Sequence, residues 1–388
     1  MIACQKYTIY AAWHDRGYVI NYSHDPLLDL VYLNDRGYEK MLALGVSLTI
    51  GQAYHLVKEI STDQENQGVP QTSCKPYRNS FSAVAKKKRA LRKAAARINL
   101  AGKIQERPVI DGGKNKKYFP STADMDRIEG ALAGRMLFLP EIDRSLRSKG
   151  IKIQNDDLED VLQLLFLRRK LSRLPGFQIF GKGKFRCSRC GQDNEITPIQ
   201  CASCGEVCYH CETCLSMGES RFCQPLYAFP GGRAARKLPF RDVEPVLHME
   251  LSEAQRDASA ALRQFILQPE QREKLVWAVC GAGKTEVVFR AIAEVLSRGG
   301  RILFAIPRKG AVQEVGPRLD RAFPQFSVVV LHGTSSDKFK DSQIIVATTH
   351  QAIRFYSAFD LIIIDEVDAY PFKDSAMLQT SVRRALKK

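Results

Sequence analysis

No run of apolar residues in this 388-residue chain reaches the roughly 18 needed to span a bilayer as a helix. The opening stretch, MIACQKYTIYAAWHDRGY, lacks the long apolar core and small-residue cleavage site of a secretory signal. These two absences predict a cytoplasmic location. Acidic residues are also short, 42 Asp and Glu against 58 Lys and Arg, a net charge of +16. That balance favours a polyanionic partner, nucleic acid or an anionic membrane face, over charge serving solubility alone. The excess is uneven: residues 75–118 are rich in Lys and Arg and poor in acids.

What is present changes along the chain. Residues 1–60 mix short apolar patches with aromatics and read as an α+β region with no assigned role, with two strands around Asp15-Arg16-Gly17. Residues 61–120 read as a basic linker, in which Lys86–Arg97 has the composition of a charged helix. Such a helix would either contact DNA phosphates or stand solvated. Residues 121–184 carry apolar side chains at helical spacing, with Asn155-Asp156-Asp157 as an N-terminal cap. A hairpin then turns at Gly181-Lys182-Gly183. Helices followed by a hairpin resemble a winged helix; a plain helical connector is the alternative.

Of eleven cysteines, eight lie between Cys187 and Cys223. Clustered Cys-x-x-Cys pairs in a cytosolic chain point to metal rather than disulfides. Two thiolates two residues apart in a tight turn reach one ion, and the glycine that follows (Gly191, Gly205) relieves crowding near sulfur. Residues 185–225 are therefore expected to form a Cys-rich, zinc-binding module in which closed Cys₄ sites order a segment too short for its own core. Eight cysteines suit two such sites. Spacing alone joins Cys187 and Cys190 to Cys201 and Cys204. The competing arrangement joins Cys187 and Cys190 to Cys211 and Cys214, leaving Cys201, Cys204, Cys208 and Cys223 for a second ion. His210 could replace one ligand.

Residues 245–388 alternate β-rich runs with helical stretches, the pattern of a parallel sheet with helices on both faces. Strands are expected at Lys274–Val279, Arg301–Ile306, Ser327–Leu331, Gln343–Ala347 and Asp360–Ile364. Between the first run and a helix lies Ala278-Val279-Cys280-Gly281-Ala282-Gly283-Lys284-Thr285-Glu286. Gly281 and Gly283 let the backbone wrap closely around phosphate, aided by Ala282 and the helix start. Lys284 would reach the β- and γ-phosphates of ATP, and Thr285 would ligate Mg²⁺. The run FDLIIIDEVDAYPF ends a strand with Asp365, placed to hold Mg²⁺, and Glu366, placed to polarise water.

With alanine at the first loop position, this motif resembles that of superfamily 2 helicases and translocases. The resemblance implies a RecA-like lobe, an adenine-reading Gln255, and strand-gripping segments at Pro307, Arg308, Thr348, Thr349 and His350. The Cys-rich module followed by WAVCGAGKTE, ATTHQ and IIIDEVDAYP resembles the late competence ATPase family ComFA over residues 185–388. That resemblance implies zinc at Cys187, Cys190, Cys211 and Cys214. It further implies ATP-driven movement of single-stranded DNA, action at the inner membrane face, and the partners ComFC and DprA. Cys201, Cys204, Cys208 and Cys223 exceed the family pattern. The replication-restart helicase PriA, which also pairs cysteine clusters with such a motor, is a second resemblance to weigh, and a non-catalytic DNA-binding or assembly module is the rival from another class. Such motors use two lobes. No second lobe follows Glu366, so the chain is expected to be the first half of a motor, one sheet strand short, binding ATP and hydrolysing it weakly.

Overall fold

The computed structural model describes residues 4–14, 17–61, 80–97, 99–109, 119–180, 184–232, 242–268, 270–279, 281–336 and 338–387. Residues 15–16 and 181–183, where turns are expected, and residues 75–79, 98 and 110–118 of the basic stretch lie outside the described residues. The chain divides into two compact units. The first holds residues up to Leu132 and Leu137–Phe229; the second holds Ala133–Met136 and Pro230–Lys388.

The first unit begins with an antiparallel sheet, β1 (Tyr7–His14), β2 (Gly17–Ser23), β3 (Lys40–Leu48) and β4 (Arg107–Val109), in the order β2-β1-β3-β4. Between β2 and β3 runs α1 (Pro26–Asn34), opened by the Asp25 carboxylate accepting from Leu27 N–H at 2.9 Å, with proline in the first turn. After β3 comes α2 (Ile50–Ser61), whose Ile50, Ala53, Tyr54, Val57 and Ile60 form one buried stripe. Helix α3 (Ser80–Arg97) falls inside the stretch expected as a linker. Leu91, Ala94 and Ala95 are buried in the same core as Tyr54 and Val57, so this part of the basic run is a packed helix. The charge of this run is plain in the sequence; its small apolar face shows only where α2 covers it.

The expected helical segment follows as α4 (Thr122–Leu132), β5 (Met136–Phe138), α5 (Leu139–Ser148), α6 (Asn155–Leu167) and β6 (Ser172–Pro175). The hairpin forms, as β7 (Phe177–Phe180) and β8 (Lys184–Cys187). It is not the wing, however. The strand that completes a three-stranded sheet, in the order β5-β11-β6, is β11 (Pro225–Ala228), which arrives only after the cysteines. A helix–strand–helix–helix–strand–strand path is winged-helix connectivity, with the cysteine module inserted before its last strand. The DNA role of such a module does not follow here. The second helix of the pair, α6, opens with Asp156 and Asp157, and an acidic first turn repels phosphate. Within the insert, β9 (Ile196–Gln200) pairs antiparallel with β10 (Val207–Cys211).

The second unit holds α7 (Glu253–Leu267), α8 (Lys284–Val287), α9 (Phe289–Ser297), β12 (Ile302–Ile306), α10 (Lys309–Ala322), β13 (Val328–Leu331), β14 (Ile344–Thr348), β15 (Leu361–Ile364) and α11 (Ala376–Ala385). Among the described residues its four strands are parallel, in the order β13-β14-β12-β15. Each lies within a residue of its expected bounds. Helix α10 packs on β12, β13 and β14, and α9 on β12, over a core of Phe289, Ile292, Leu296, Phe304 and Val346. The fifth expected strand, Lys274–Val279, does not form. Residues 271–279 carry no regular structure, and Leu275, Trp277 and Val279 are exposed, Trp277 at 91%. β-rich composition makes a strand only where an edge pairs with it. This segment pairs with none.

Candidate nucleotide and metal sites

The phosphate loop hangs on α7 rather than on a strand. Ser252 and Gln255 cap α7 reciprocally: Ser252 Oγ accepts from Gln255 N–H, and Gln255 Oε1 accepts from Ser252 N–H at 2.8 Å. The other end of the Gln255 amide donates to Ala282 O at 2.9 Å. Gly281 and Gly283 both sit in the left-handed region, at φ 79° and 68°. At Gly283 the left-handed dihedral favours glycine, and a Cβ, 2.7 Å from Gln255 Nε2, would displace that amide from its present place. Lys284 Nζ donates to Ala278 O at 3.3 Å, Thr285 is buried, and Glu286 faces Arg318 at 3.8 Å.

Parallel strands bring the remaining motif residues to one edge. Pro307 and Arg308 follow β12, Thr349 and His350 follow β14, and Asp365 and Glu366 follow β15. Carboxyl ends of parallel strands are where open α/β sheets bind ligands. Glu366 has a left-handed φ of 51°, a strained state for a side-chain-bearing residue and one that recurs at working sites. Its N–H is held by Asp365 Oδ1 at 3.0 Å, and Arg308 Nε stands 3.7 Å from Glu366 Oε2. That oxygen is buried with no hydrogen-bond partner among the described residues, an acceptor suited to a metal-bound water. No hydrogen bond or ion pair among the described residues joins Lys284 or Thr285 to Asp365 or Glu366.

The five strand-gripping candidates are not equally placed. Arg308 is open to solvent, and His350 is half-buried, its imidazole pKa lowered by desolvation. Pro307, Thr348 and Thr349 are buried, and Thr349 Oγ1 has no hydrogen-bond partner among the described residues. Side-chain contact with DNA from these three is closed off, leaving their main chain.

The cysteines separate into two sets, Cys187, Cys190, Cys211 and Cys214 in one, Cys201, Cys204, Cys208 and Cys223 in the other, with each set's sulfurs within 4.8 Å of one another. Joining Cys187 and Cys190 to Cys201 and Cys204, as spacing alone suggests, is not what the fold does. Parity on β10 decides it: Cys208 and Cys211 are three residues apart on an extended strand, so they face opposite ways. Sulfur–sulfur distances are 3.8 Å for Cys187–Cys214, 3.5 Å for Cys190–Cys211 and 3.8 Å for Cys201–Cys223. A tetrahedron with 2.3 Å zinc–sulfur bonds requires about 3.8 Å, whereas a disulfide requires about 2.05 Å. Either set therefore fits a tetrathiolate metal. His210 stands with Glu219, at 3.6 Å, and belongs to neither. Gly191 and Gly205 are left-handed, at φ 81° and 74°, each donating its N–H to the first cysteine of its pair at 2.9 Å. Hydrogen bonding with Cys223 lowers the Cys208 thiol pKa to about 6.

Sequence reasoning missed the groups that hold these pairs in place. Arg189, inside the first pair, is fully buried and meets the Glu141 carboxylate at 2.8 Å, with Nη1 donating to Gly218 O at 3.2 Å. A charged residue between two ligands was a signal that could have been read. The distant Cys4, whose N–H donates to Ser203 O at 2.9 Å, gave none.

Residues 128–228 match the family model described as competence protein ComFA N-terminal domain. Residues 248–387 match that of the type III restriction enzyme, res subunit. Competence protein ComFA of Bacillus subtilis (strain 168) is 33% identical over 251 residues, 65% of this chain and 53% of that protein. Competence protein ComFA of Streptococcus pneumoniae (strain ATCC BAA-255 / R6) is 37% identical over 209 residues, 53% of this chain and 45% of that protein. Replication restart protein PriA of B. subtilis is 24% identical over 148 residues, 36% of this chain and 18% of that protein. The chain thus spans about half the length of the ComFA relatives it matches. Over these residues the chain is similar to ComFA and carries a helicase-like domain, alongside its phosphate loop, parallel sheet and paired cysteine sets.

Proposed function

We propose that this chain supplies the nucleotide-binding lobe and zinc module of an ATP-dependent translocase that draws single-stranded DNA inward during genetic competence. The observation that carries the reading is the gathering of Arg308, His350, Asp365 and Glu366 at the carboxyl ends of three adjacent parallel strands. ATP would lie against the Gly281–Thr285 loop, with Lys284 on its phosphates and Gln255 offering its remaining amide N–H and lone pair to adenine. Mg²⁺ would be shared by Thr285 and Asp365, and Glu366 would take the proton of the attacking water. Bound Mg²⁺ neutralises developing phosphate charge. Zinc in the Cys187, Cys190, Cys211 and Cys214 set orders the module. Main-chain groups near Thr348 and Thr349, with Arg308, would hold DNA phosphates without reading sequence. Action at the cytoplasmic membrane face, with ComFC and DprA as partners, is part of the same proposal.

The test is ATPase activity of the intact, full-length protein with and without single-stranded DNA. Stimulation is expected, and Lys284→Ala should abolish it. An intact protein that DNA does not stimulate would refute the motor. The PriA match favours a second reading, replication restart; preference for forked DNA over plain single strands would select it. The missing strand at 274–279 favours a third, a non-catalytic DNA-binding module, which an intact protein unable to bind ATP would support.

A further inference from the structure

We propose that Cys201, Cys204, Cys208 and Cys223 bind a second zinc ion, and that the two zinc sites staple different parts of the first unit to the module. The second set is built as fully as the first. Cys201, Cys208 and Cys223 are buried, Cys204 is half-buried, and all four sulfurs lie within 4.8 Å of one another. The Cys201–Cys204 turn repeats the Cys187–Cys190 turn hydrogen bond for hydrogen bond. Cys201 N–H donates to Glu206 O at 3.1 Å and Gly205 N–H to Cys201 O at 2.9 Å, matching Cys187 to Gln192 and Gly191 to Cys187 at 2.8 and 2.9 Å. A Cβ at Gly205 would touch nothing within 4 Å, so its glycine serves the turn's dihedral alone. Arg221, ion-paired with Glu219 through Nη2, places Nη1 3.8 Å from Cys201 Sγ and donates to Ser203 Oγ at 3.0 Å. Each thiol would release its proton to solvent as its sulfur–zinc bond forms, with no change of oxidation state.

The two turns dock on different neighbours. The first is held by Arg189 on Glu141 of α5. The second meets the N-terminal sheet layer: Cys4 N–H on Ser203 O at 2.9 Å, Lys6 Nζ on Cys204 O at 3.3 Å, and Gln52 and Lys103 on the Glu206 carboxylate at 3.0 and 2.7 Å. Phe222, beside the ligand Cys223, covers Gly51 of α2 so closely that a Cβ there would fall 2.4 Å from its ring. Strand β10 carries Cys208 to one site and Cys211 to the other. Filling the second site therefore orders the surface that Cys4, Lys6, Gln52 and Lys103 contact.

Elemental analysis of the purified protein should find two zinc ions per chain, falling to one in C201S/C204S and to one in C187S/C190S. Limited proteolysis should open residues 4–61 in C201S/C204S and spare them in C187S/C190S. If either variant fails to fold, stepwise zinc release from the unaltered protein with a mercurial reagent serves instead. Release of two equivalents, with deuterium exchange rising in residues 4–61 at one step only, is expected. One zinc per chain in the unaltered protein overturns the second site. Two zincs with equal loosening of residues 4–61 from either site overturns the division of labour. These readouts involve neither nucleotide nor DNA, so they stand or fall apart from the motor reading.

Discussion

Arg189 shows how much one side chain between two ligands can decide. Its guanidinium and the Glu141 carboxylate are both buried, and that carboxylate also accepts from Phe138 N–H at 3.1 Å to cap α5. Removing one partner of a buried pair strands the other charge. Arg189→Ala should therefore cost about 3–5 kcal/mol in denaturant unfolding, whereas exposed pairs such as Arg97–Glu59 should cost under about 1 kcal/mol. Asp29 makes a second test. Its buried carboxylate accepts from Tyr10 Oη at 2.6 Å, Ser23 Oγ at 2.7 Å and Gln163 Nε2 at 2.8 Å, yet desolvation raises its pKa to about 6. A raised acid holds its proton more tightly when folded. Its stabilising contribution is full below about pH 4 and is lost as pH rises through 6, a swing of about 3 kcal/mol. Asp29→Asn should flatten that stretch of the unfolding midpoint against pH; an unchanged slope would assign it elsewhere.

At the scale of elements, the junction of β6 and β7 is crowded around Gly176. Gly176 donates its N–H to Gln224 O at 2.9 Å, and its carbonyl accepts from Ser188 N–H at 2.8 Å and Ser220 Oγ at 3.1 Å. A Cβ there would fall 2.0 Å from Arg221 O, a backbone atom with no freedom to retreat. Gly176→Ala should cost about 3 kcal/mol and lower zinc content, read by unfolding and elemental analysis. Gly205→Ala meets no neighbour and should cost only the left-handed strain, about 1–2 kcal/mol. Equal effects of the two would refute the crowding argument.

Across the whole molecule, charge and phosphate chemistry point to the same kind of partner. An excess of +16 gathers polyanions from a distance, and backbone contacts dominate grips on single strands. Binding to single-stranded DNA should be indifferent to sequence and fall steeply as salt rises. A flat salt dependence would mean that the charge serves solubility. No helix among the described residues is long and apolar enough to cross a membrane.

Much of this was legible in sequence because local rules carry it. The spacing of Gly281, Gly283, Lys284 and Thr285, the acids closing an apolar strand, and the alternation that placed β12 to β15 each depend on neighbours a few residues away. Tertiary structure decided the rest. Which cysteines share an ion turned on the parity of β10, which spacing does not encode. That Lys274–Val279 stays unpaired depends on sheet edges more than 25 residues away. The packed face of α3 exists because a distant helix, α2, buries it. The anchoring of Cys4 at Ser203 spans nearly 200 positions. Sequence determined the chemistry on offer; only the folded chain decided which groups meet, because contact energy depends on distance in space.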